Sequence, residues 1–548
     1  MSFFLNSFSF NYAVIVPSVG SGFSILIDTT KAGTTTNTQF NLALSPSTPY
    51  DFNIDWGDNV IESYTSSNTT GYTHTYSTSG TYLISIGERS VGGFPRVYYN
   101  NVGDKLKLLN VTQFGGNQFG TDWTGSFKGC TNLQLTATDF ATAKTQNITN
   151  FDAAWSRCAS LLSFPLIDTS NATSLQGTWE YCTSLSSFPF LNTSNVGNFG
   201  SAFINCPIKS FPLIDTSKCT NFSSMLYGTK IVDAPLLNTL SGTNFNSFLS
   251  NCTELTGVPL FDLSNATDVS ALFSLSTKLK SIPLFNTSKA TNFRFFASDC
   301  DSLTSFPLID TSKGTNFAYC WRINRSLTDF PLLNTLSGTD FTYAWNDCRS
   351  LTSFPLLDTR NADSLNLAWE GCYSLTSFPL LNTSKVTVFF GAWSNCYSLT
   401  SFPLINTLSG INFSSSWKDC RSLTSFPYLS TQNGNNFSET WWGCTRLSAT
   451  DFPTLNMSKM TNGTNCFNGV KLTTNSYSLL LSSICATNIN NTVTFHGGNS
   501  NYNSTFGLSA RNYLVNTKGW TITDGGLETA TPEFSFLIDT NYPAQGYL

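Results

Sequence analysis

The sequence predicts a mainly β chain: a β-solenoid of about thirteen 24-residue coils, preceded by a small β-sandwich and closed by a small α/β cap. Three rows of residues predict the solenoid. An "FP" element recurs with its proline at Pro165, Pro189, Pro212 and onward to Pro453, at a step of 24 that shortens to 23 twice near Pro212 and lengthens to 26 at the end. A cysteine row runs in phase with it: Cys158, Cys182, Cys206, Cys252, Cys300, Cys348, Cys372, Cys396, Cys420 and Cys444. Three residues ahead of these cysteines lies a tryptophan row, Trp155, Trp179, Trp345, Trp369, Trp393, Trp417 and Trp441, with Trp321 in the slot ahead of Asn324. Self-similarity at a fixed period is the signature of stacked repeats, each too poor in apolar residues to fold alone.

Composition sets the boundaries. The chain has 548 residues, long enough to bury a large apolar surface; 11% are charged and 14% aromatic, against about 25% charged in an average domain. A formal net charge of −5, with no run of Lys or Arg, argues against nucleic acid as partner, since phosphate binding needs a basic face. The most apolar early segments, "YAVIV" and "FSILI", are far short of the roughly 20 residues that span a bilayer, so no membrane insertion is expected. The first basic residue is Lys31, and no charged region precedes an apolar one as in a secretory leader.

In chain order, residues 1–22 are read as an N-terminal docking segment. Residues 23–103 form the sandwich: "FNIDWGDNVIESYTSSNTTGYTHTYSTSGTYLISI" alternates apolar and polar residues in short runs broken by Gly, Ser and Asn. Its "DWGD" (Asp55 to Asp58) and "HTYSTSGTY" (His74 to Tyr82) resemble the PKD-like, immunoglobulin-type domain. That resemblance implies aromatics in the core and a turn at Gly-Asp. Residues 104–150 are the solenoid's N-terminal cap and lead-in, and residues 151–470 the solenoid itself.

One coil reads as "SLTSF", whose Leu and Phe point inward, then a proline that cannot continue a central ladder, then a turn "LLDTS" or "LLNTS". Asp or Asn recurs in that turn, as at Asp168, Asn192, Asp215 and Asn238, where its side chain bonds neighbouring backbone groups. A second apolar spot, "TNF" or "VTVF", leads into the "W..C" corner. The unit "C.SLTSFPL.(D/N)TS..TNF...W..C" is similar to the BspA-like leucine-rich repeats of bacterial surface proteins and related phage-encoded proteins, over about residues 124 to 470. The resemblance implies a right-handed solenoid of leucine-rich type. The chain departs from the family in having Trp where Met-Phe or Ala-Phe is usual. Coils around Tyr227, Phe248 and Phe273 lack the Trp, so the middle of the stack is expected to be thinner or differently curved.

Residues 471–526 are read as the α/β cap, with helical spacing in "SYSLLLSSICATNI" and "FGLSARNYLVNTKG" and strands at "TVTFHGG" and "WTITDGG". Caps are expected because an open end exposes apolar surface and unpaired edges. Residues 527–548 form a C-terminal tail whose "EFSFLIDT" echoes "FSILIDTT" at Phe23 to Thr30.

The fifteen cysteines are an odd number and sit mostly at equivalent places in stacked coils, not in CxxC pairs. Cys348, Cys372, Cys396, Cys420 and Cys444, with Trp345, Trp369, Trp393, Trp417 and Trp441, are read as structural rows of buried thiols and stacked indoles, in preference to disulfides, a metal site or a platform for sugar rings. The candidate contact stripe is the position after the cysteine: Arg325, Arg349, Tyr373, Tyr397 and Arg421, large amphipathic side chains on one edge. Asp347 and Asp419 lie beside them, so a plain charge row along that edge is the competing reading. Only two histidines, His74 and His496, are present, and the repeated Asp exchanges freely with Asn. No catalytic residue, metal or cofactor is therefore expected.

The expected function is a non-enzymatic bacteriophage virion surface protein, such as a tail fibre or spike, for host-surface recognition and adhesion. Its N-terminal region would dock to other virion proteins, and its solenoid would meet a host cell-surface glycan or protein, as a monomer or a homo-oligomer. The alternatives are a BspA-like bacterial cell-surface adhesin and a capsid decoration protein. The expected location is the virion surface, or else the bacterial cell surface.

Overall fold

A computed structural model describes residues 22–529 apart from 46–49, 66, 67, 69, 91, 93, 140–142, 449 and 450. Almost all of the expected docking segment and tail lies outside these residues. The chain is mainly β with few helices, and it divides into two compact units, Met1–Leu375 and Thr376–Leu548.

In the first unit, eight strands occupy the N-terminal part: β1 (Phe23–Asp28), β2 (Gln39–Leu42), β3 (Phe52–Asp55), β4 (Ile61–Tyr64), β5 (Tyr72–Thr75), β6 (Thr81–Glu88), β7 (Leu108–Gln113) and β8 (Gln134–Leu135). One sheet has the order β4-β3-β6-β1-β7-β8, and β2 pairs with β5 in a second. Alternation fixes the inner face: Phe52 and Ile54 of β3 are buried while Asn53 and Asp55 are not, and Tyr72 and His74 of β5 point inward. Between β3 and β4 the chain reverses at Gly57, whose φ of +81° is natural to glycine; a Cβ there would meet the Leu83 carbonyl oxygen at 2.5 Å. Strand β1 pairs antiparallel with both β6 and β7, and β7 continues parallel to β8. The lead-in residues thus belong to the same sheet as the N-terminal strands, a long-range pairing that local sequence does not announce.

From Asn150 the chain stacks in parallel register, with bridges Asn150↔Ser174↔Asn198↔Asn221 and on to Asp340↔Ser364 at steps of 23 or 24 residues. Few long strands form. After each bridge, alternate N–H groups bond the next coil: Phe151 to the Ser174 carbonyl, Ala153 to Gln176, Trp155 to Thr178 and Arg157 to Glu180, at 2.7–3.1 Å. The residues between them bond three back, as Cys158 N–H does to the Trp155 carbonyl. This alternation needs left-handed backbone at two places per coil, seen at Ala153 and Arg157 (φ 53° and 65°) and again at Tyr343 and Asp347 (56° and 60°). Each left-handed non-glycine residue costs roughly 1–2 kcal/mol, offset by inter-coil hydrogen bonds worth about 0.5–1.5 kcal/mol each.

The turn after the proline is pinned twice. Asp168 Oδ1 accepts from Ser170 N–H at 2.9 Å, the local bond expected of Asx residues in turns. The buried Thr169 hydroxyl donates to the Asn192 carbonyl of the next coil at 2.6 Å, and Thr311 repeats the bond to Asn334.

The coils without Trp are not thinner at this layer. Where Ala344 precedes Trp345, the equivalent pairs are Phe248-Leu249, Leu272-Phe273 and Phe296-Ala297, all fully buried. Bulk lost at one position is supplied by its neighbour, as close packing requires.

In the second unit the stacking runs Val388↔Asn412↔Asn436↔Asn462. Helix α1 (Thr474–Thr487) is capped by Thr473, whose hydroxyl accepts from Ser476 N–H, and it buries Tyr477, Leu480, Leu481 and Ile484 on one face. Helix α2 (Phe506–Asn516) follows β9 (Thr494–His496), which pairs parallel with β10 (Thr521–Thr523). Asp524 is held inside by Arg511 Nε at 2.9 Å and the Tyr477 hydroxyl at 3.0 Å. Among the described residues no helix is long and apolar enough to cross a membrane.

Candidate ligand groove and exposed rows

A groove of about 480 Å³ runs across successive coils of the first unit, lined by Thr121, Thr149, Thr173, Asn147, Asn171 and Asn195, with Phe119 and Lys218 also on its wall. The local fold explains why these polar residues line up. Each Thr immediately precedes, or lies one residue from, a bridge residue, so it recurs at the coil spacing. Its hydroxyl donates backward, Thr149 to the Thr121 carbonyl at 3.2 Å and Thr173 to the Thr149 carbonyl at 3.1 Å. Oxygen lone pairs stay free to accept. The amides of Asn171 and Asn195 donate to the carbonyls of Gln146 and Ser170 at 2.8 and 2.7 Å. Lys218, the one charged residue of the lining, donates to Asn195 Oδ1 at 2.6 Å. The chemistry on offer is hydrogen bonding from neutral groups repeated along an axis, with one cation.

The expected contact stripe engages itself. Arg325 lies 3.0 Å from Asp301 and 3.2 Å from Asp347, which also holds Arg349 at 2.7 Å; the Arg349 guanidinium sits 5.2 Å from the centre of the Tyr373 ring. In the second unit Arg421 pairs with Asp419 at 3.1 Å and lies 4.7 Å from the Tyr397 ring centre, and the Tyr397 hydroxyl reaches Asn395 at 3.3 Å. Exposed pairs of this kind contribute about 0–1 kcal/mol each, and they set these side chains out as a charged row along one edge.

The tryptophans Trp345, Trp369, Trp393, Trp417 and Trp441 are fully buried. Trp345 stacks on Trp369 at 5.3 Å, and Trp393 on Trp417 at 5.5 Å. None of these five indole faces is open to a sugar. All fifteen cysteines are free thiols, and fourteen are buried. Their sulfurs donate to the carbonyl of the preceding coil's Trp slot: Cys348 to Trp321, Cys372 to Trp345, Cys420 to Trp393 and Cys444 to Trp417, at 2.9–3.3 Å. Where cysteine is missing, Ser276 and Asn324 make the equivalent bond to the Leu249 and Ala297 carbonyls, while Thr229 donates within its own coil to the Leu226 carbonyl. The slot therefore selects a small donor, not a thiol. Burial pushes Cys206 and Cys348 up to about 12 and Cys252 to about 11, which keeps them as unreactive thiols.

The acids of "DWGD" are likewise occupied. Asp55 accepts from Gly57 N–H, and Asp58 accepts from Val60 N–H and meets His74 Nε2 at 2.8 Å, with the His74 ring stacked 4.9 Å from Trp56.

One row escaped sequence reasoning. The residue after each proline, from Leu166 through Phe190 to Leu356 in the first unit, is 60–65% exposed. The cause is local: Ile309 N–H bonds the Pro307 carbonyl at 2.9 Å, a three-residue turn centred on Leu308 that throws this side chain outward. The readable signal was the proline's effect on alternation, together with the admission of Phe190 and Tyr428 at this position.

Residues 121–235 and 204–309 match the family described as Mycoplasma protein of unknown function, DUF285. A solved leucine-rich repeat protein from Eubacterium ventriosum ATCC 27560 is similar over 59% of this chain and 84% of its own, at 15% identity and a TM-score of 0.37. A solved leucine rich cell surface protein from Faecalibacterium prausnitzii A2-165 is similar over 56% of this chain and 75% of its own, at 17% identity and a TM-score of 0.26. No curated protein matches.

Proposed function

We propose that the chain is a non-enzymatic adhesive protein, displayed on the outside of a bacteriophage particle or of a bacterial cell, that holds an extended polyhydroxylated chain such as a surface glycan. The observation that carries this reading is the groove from Phe119 to Lys218, where hydroxyl and amide groups repeat at the coil spacing around about 480 Å³. A repeating polymer meets a repeating scaffold with the same contacts at each step, so weak bonds add along its length. Neutral donors and acceptors suit sugar hydroxyls, and a single lysine tolerates a sparse negative charge.

The test is binding of the full chain to purified bacterial envelope polysaccharides by calorimetry, with Thr173→Val and Lys218→Met as variants. Saturable binding that Thr173→Val weakens, and that Lys218→Met weakens where the polysaccharide is charged, supports the reading. Binding untouched by either variant, or no binding to any envelope polysaccharide, refutes it. Quantitative mass spectrometry of purified particles and of the envelope fraction then assigns the carrier.

A further inference from the structure

We infer that the exposed leucine row of the first unit is a docking surface for a second copy of this chain. From Leu166 to Leu356, nine successive coils each present one large apolar side chain that is 60–65% exposed. Scattered apolar residues on a surface are ordinary, but contiguous apolar area of several hundred Å² marks an interaction site. At on the order of 100 Å² per side chain, the row presents about 900 Å². Two such rows facing each other bury about 1,800 Å², within the roughly 1,200–2,000 Å² of a standard stable interface.

Pitch and polarity point to a second copy as the occupant. The row repeats once per coil, and a partner must offer apolar groups at the same spacing over nine coils; this chain itself carries that spacing. Beside the leucines runs the turn row, where Asp168, Asn192, Asp215 and Asn238 alternate, and on the other side lie hydroxyls such as Thr304, Thr328 and Thr352. A two-fold axis parallel to the stack sets each copy's Asp/Asn row toward the other's neutral hydroxyl row and away from the other's carboxylates. An antiparallel pairing sets carboxylates against carboxylates. The parallel two-fold is therefore the arrangement inferred, with Leu308 opposite its own counterpart. This inference stands independently of the glycan reading.

The test uses the full chain in sedimentation equilibrium up to about 100 µM, a range that detects interfaces down to weak micromolar affinity. The wild type is expected at twice 60.0 kDa. Leu260→Glu, Leu308→Glu and Leu332→Glu combined are expected to weaken association at least about 100-fold, with the far-ultraviolet circular dichroism unchanged because these side chains are exposed, and with the unfolding temperature losing its dependence on protein concentration. In a Cys485→Ser background, Leu308→Cys is expected to form a disulfide-linked dimer on mild oxidation, and Thr315→Cys is not. A monomeric or trimeric wild type, a triple variant that stays dimeric, or cross-linking through Thr315→Cys and not Leu308→Cys overturns the inference.

Discussion

The ammonium of Lys107 lies 3.8 Å from the carboxylate of Asp104, and both side chains are fully buried. Asp104 accepts from the N–H groups of Thr34, Thr35 and Asn41 at 2.7–3.0 Å, while Lys107 donates to the carbonyls of Thr36 and Gln39 at 2.7 and 2.8 Å. The pair ties the loop between β1 and β2 to the turn before β7. Burial pulls the Lys107 amine below its ordinary range. A buried pair is expensive to break from one side: removing one partner costs about 3–5 kcal/mol. Lys107→Met is therefore expected to lose that much and to open residues 29–41 first. Hydrogen exchange of the Thr34, Thr35 and Asn41 amides checks it; protection equal to the wild type contradicts it.

The exchange of bulk between Ala344-Trp345 and Phe248-Leu249 predicts a rescue. Trp345→Leu alone empties part of a fully buried site and is expected to cost about 3–4 kcal/mol, in the range of large-to-small core changes. Ala344→Phe alone overpacks, at about 1–3 kcal/mol. Together they recreate a pair the chain already uses, so the double variant is expected to recover at least about 2 kcal/mol of the summed loss. Urea unfolding of the four proteins reads the coupling, and strict additivity refutes the shared layer.

The period, the rows and the inward Leu and Phe were legible because stacking imposes the same demand on every coil, and thirteen prolines in step can hardly mean anything else. The Asx turn was legible for the same reason: Asp168 and Asn192 do one job with either oxygen. Which of two adjacent leucines faces water was not legible. In "FPLID" the alternation that would bury every second residue fails at the proline, where the turn centred on Leu308 places Phe306 and Ile309 inside and Leu308 out. The groove was hidden differently. Thr149 and Thr173 read as leads into an apolar corner, and only the stacked register brings them together with Asn171 and Asn195. The ion pairs of the contact stripe were half legible: Asp347 stands two residues before Arg349 in the sequence, but that Arg325 reaches both Asp301 and Asp347 on neighbouring coils comes only from the stacked register.

The thiol row makes the fold sensitive to alkali. Cys206, Cys219 and Cys348 are raised to about 12 by burial, while the same thiols in the unfolded chain ionise near about 8.5. The native state thus keeps protons that the unfolded state releases. Their stabilisation is fully present below about pH 8.5 and falls as pH rises toward the folded values, at about 1.4 kcal/mol per thiol per pH unit. Several thiols titrating together are expected to unfold the chain before about pH 11. Unfolding free energy measured from pH 7 to 11 checks this, and a flat profile contradicts it. Cys348→Ser, which keeps a donor as Ser276 does, is expected to fold and to lower the slope by one proton. At neutral pH a thiol reagent is expected to find only Cys485, which is half-buried, until denaturant is added.

Ligand length supplies the sharpest check on the groove. Thr121, Thr149, Thr173, Asn195 and Lys218 stand on five successive levels of the stack, and at about 4.8 Å per level the lining covers roughly 20 Å. Affinity for oligomers of a bound glycan is therefore expected to climb with chain length and to level off once the ligand reaches about that extent. Thr173→Val removes a central hydroxyl and keeps the side-chain shape, so its cost is expected to be about 3–10-fold, the worth of one net hydrogen bond, and to appear only for oligomers long enough to reach that level. Lys218→Met stands at the edge and is expected to remove the salt dependence for a charged glycan while leaving a neutral one within about 2-fold. Calorimetry over a length series separates these outcomes. Affinity that is independent of length, or a Thr173→Val loss equal for the shortest and longest oligomers, means that the ligand does not lie along the coils.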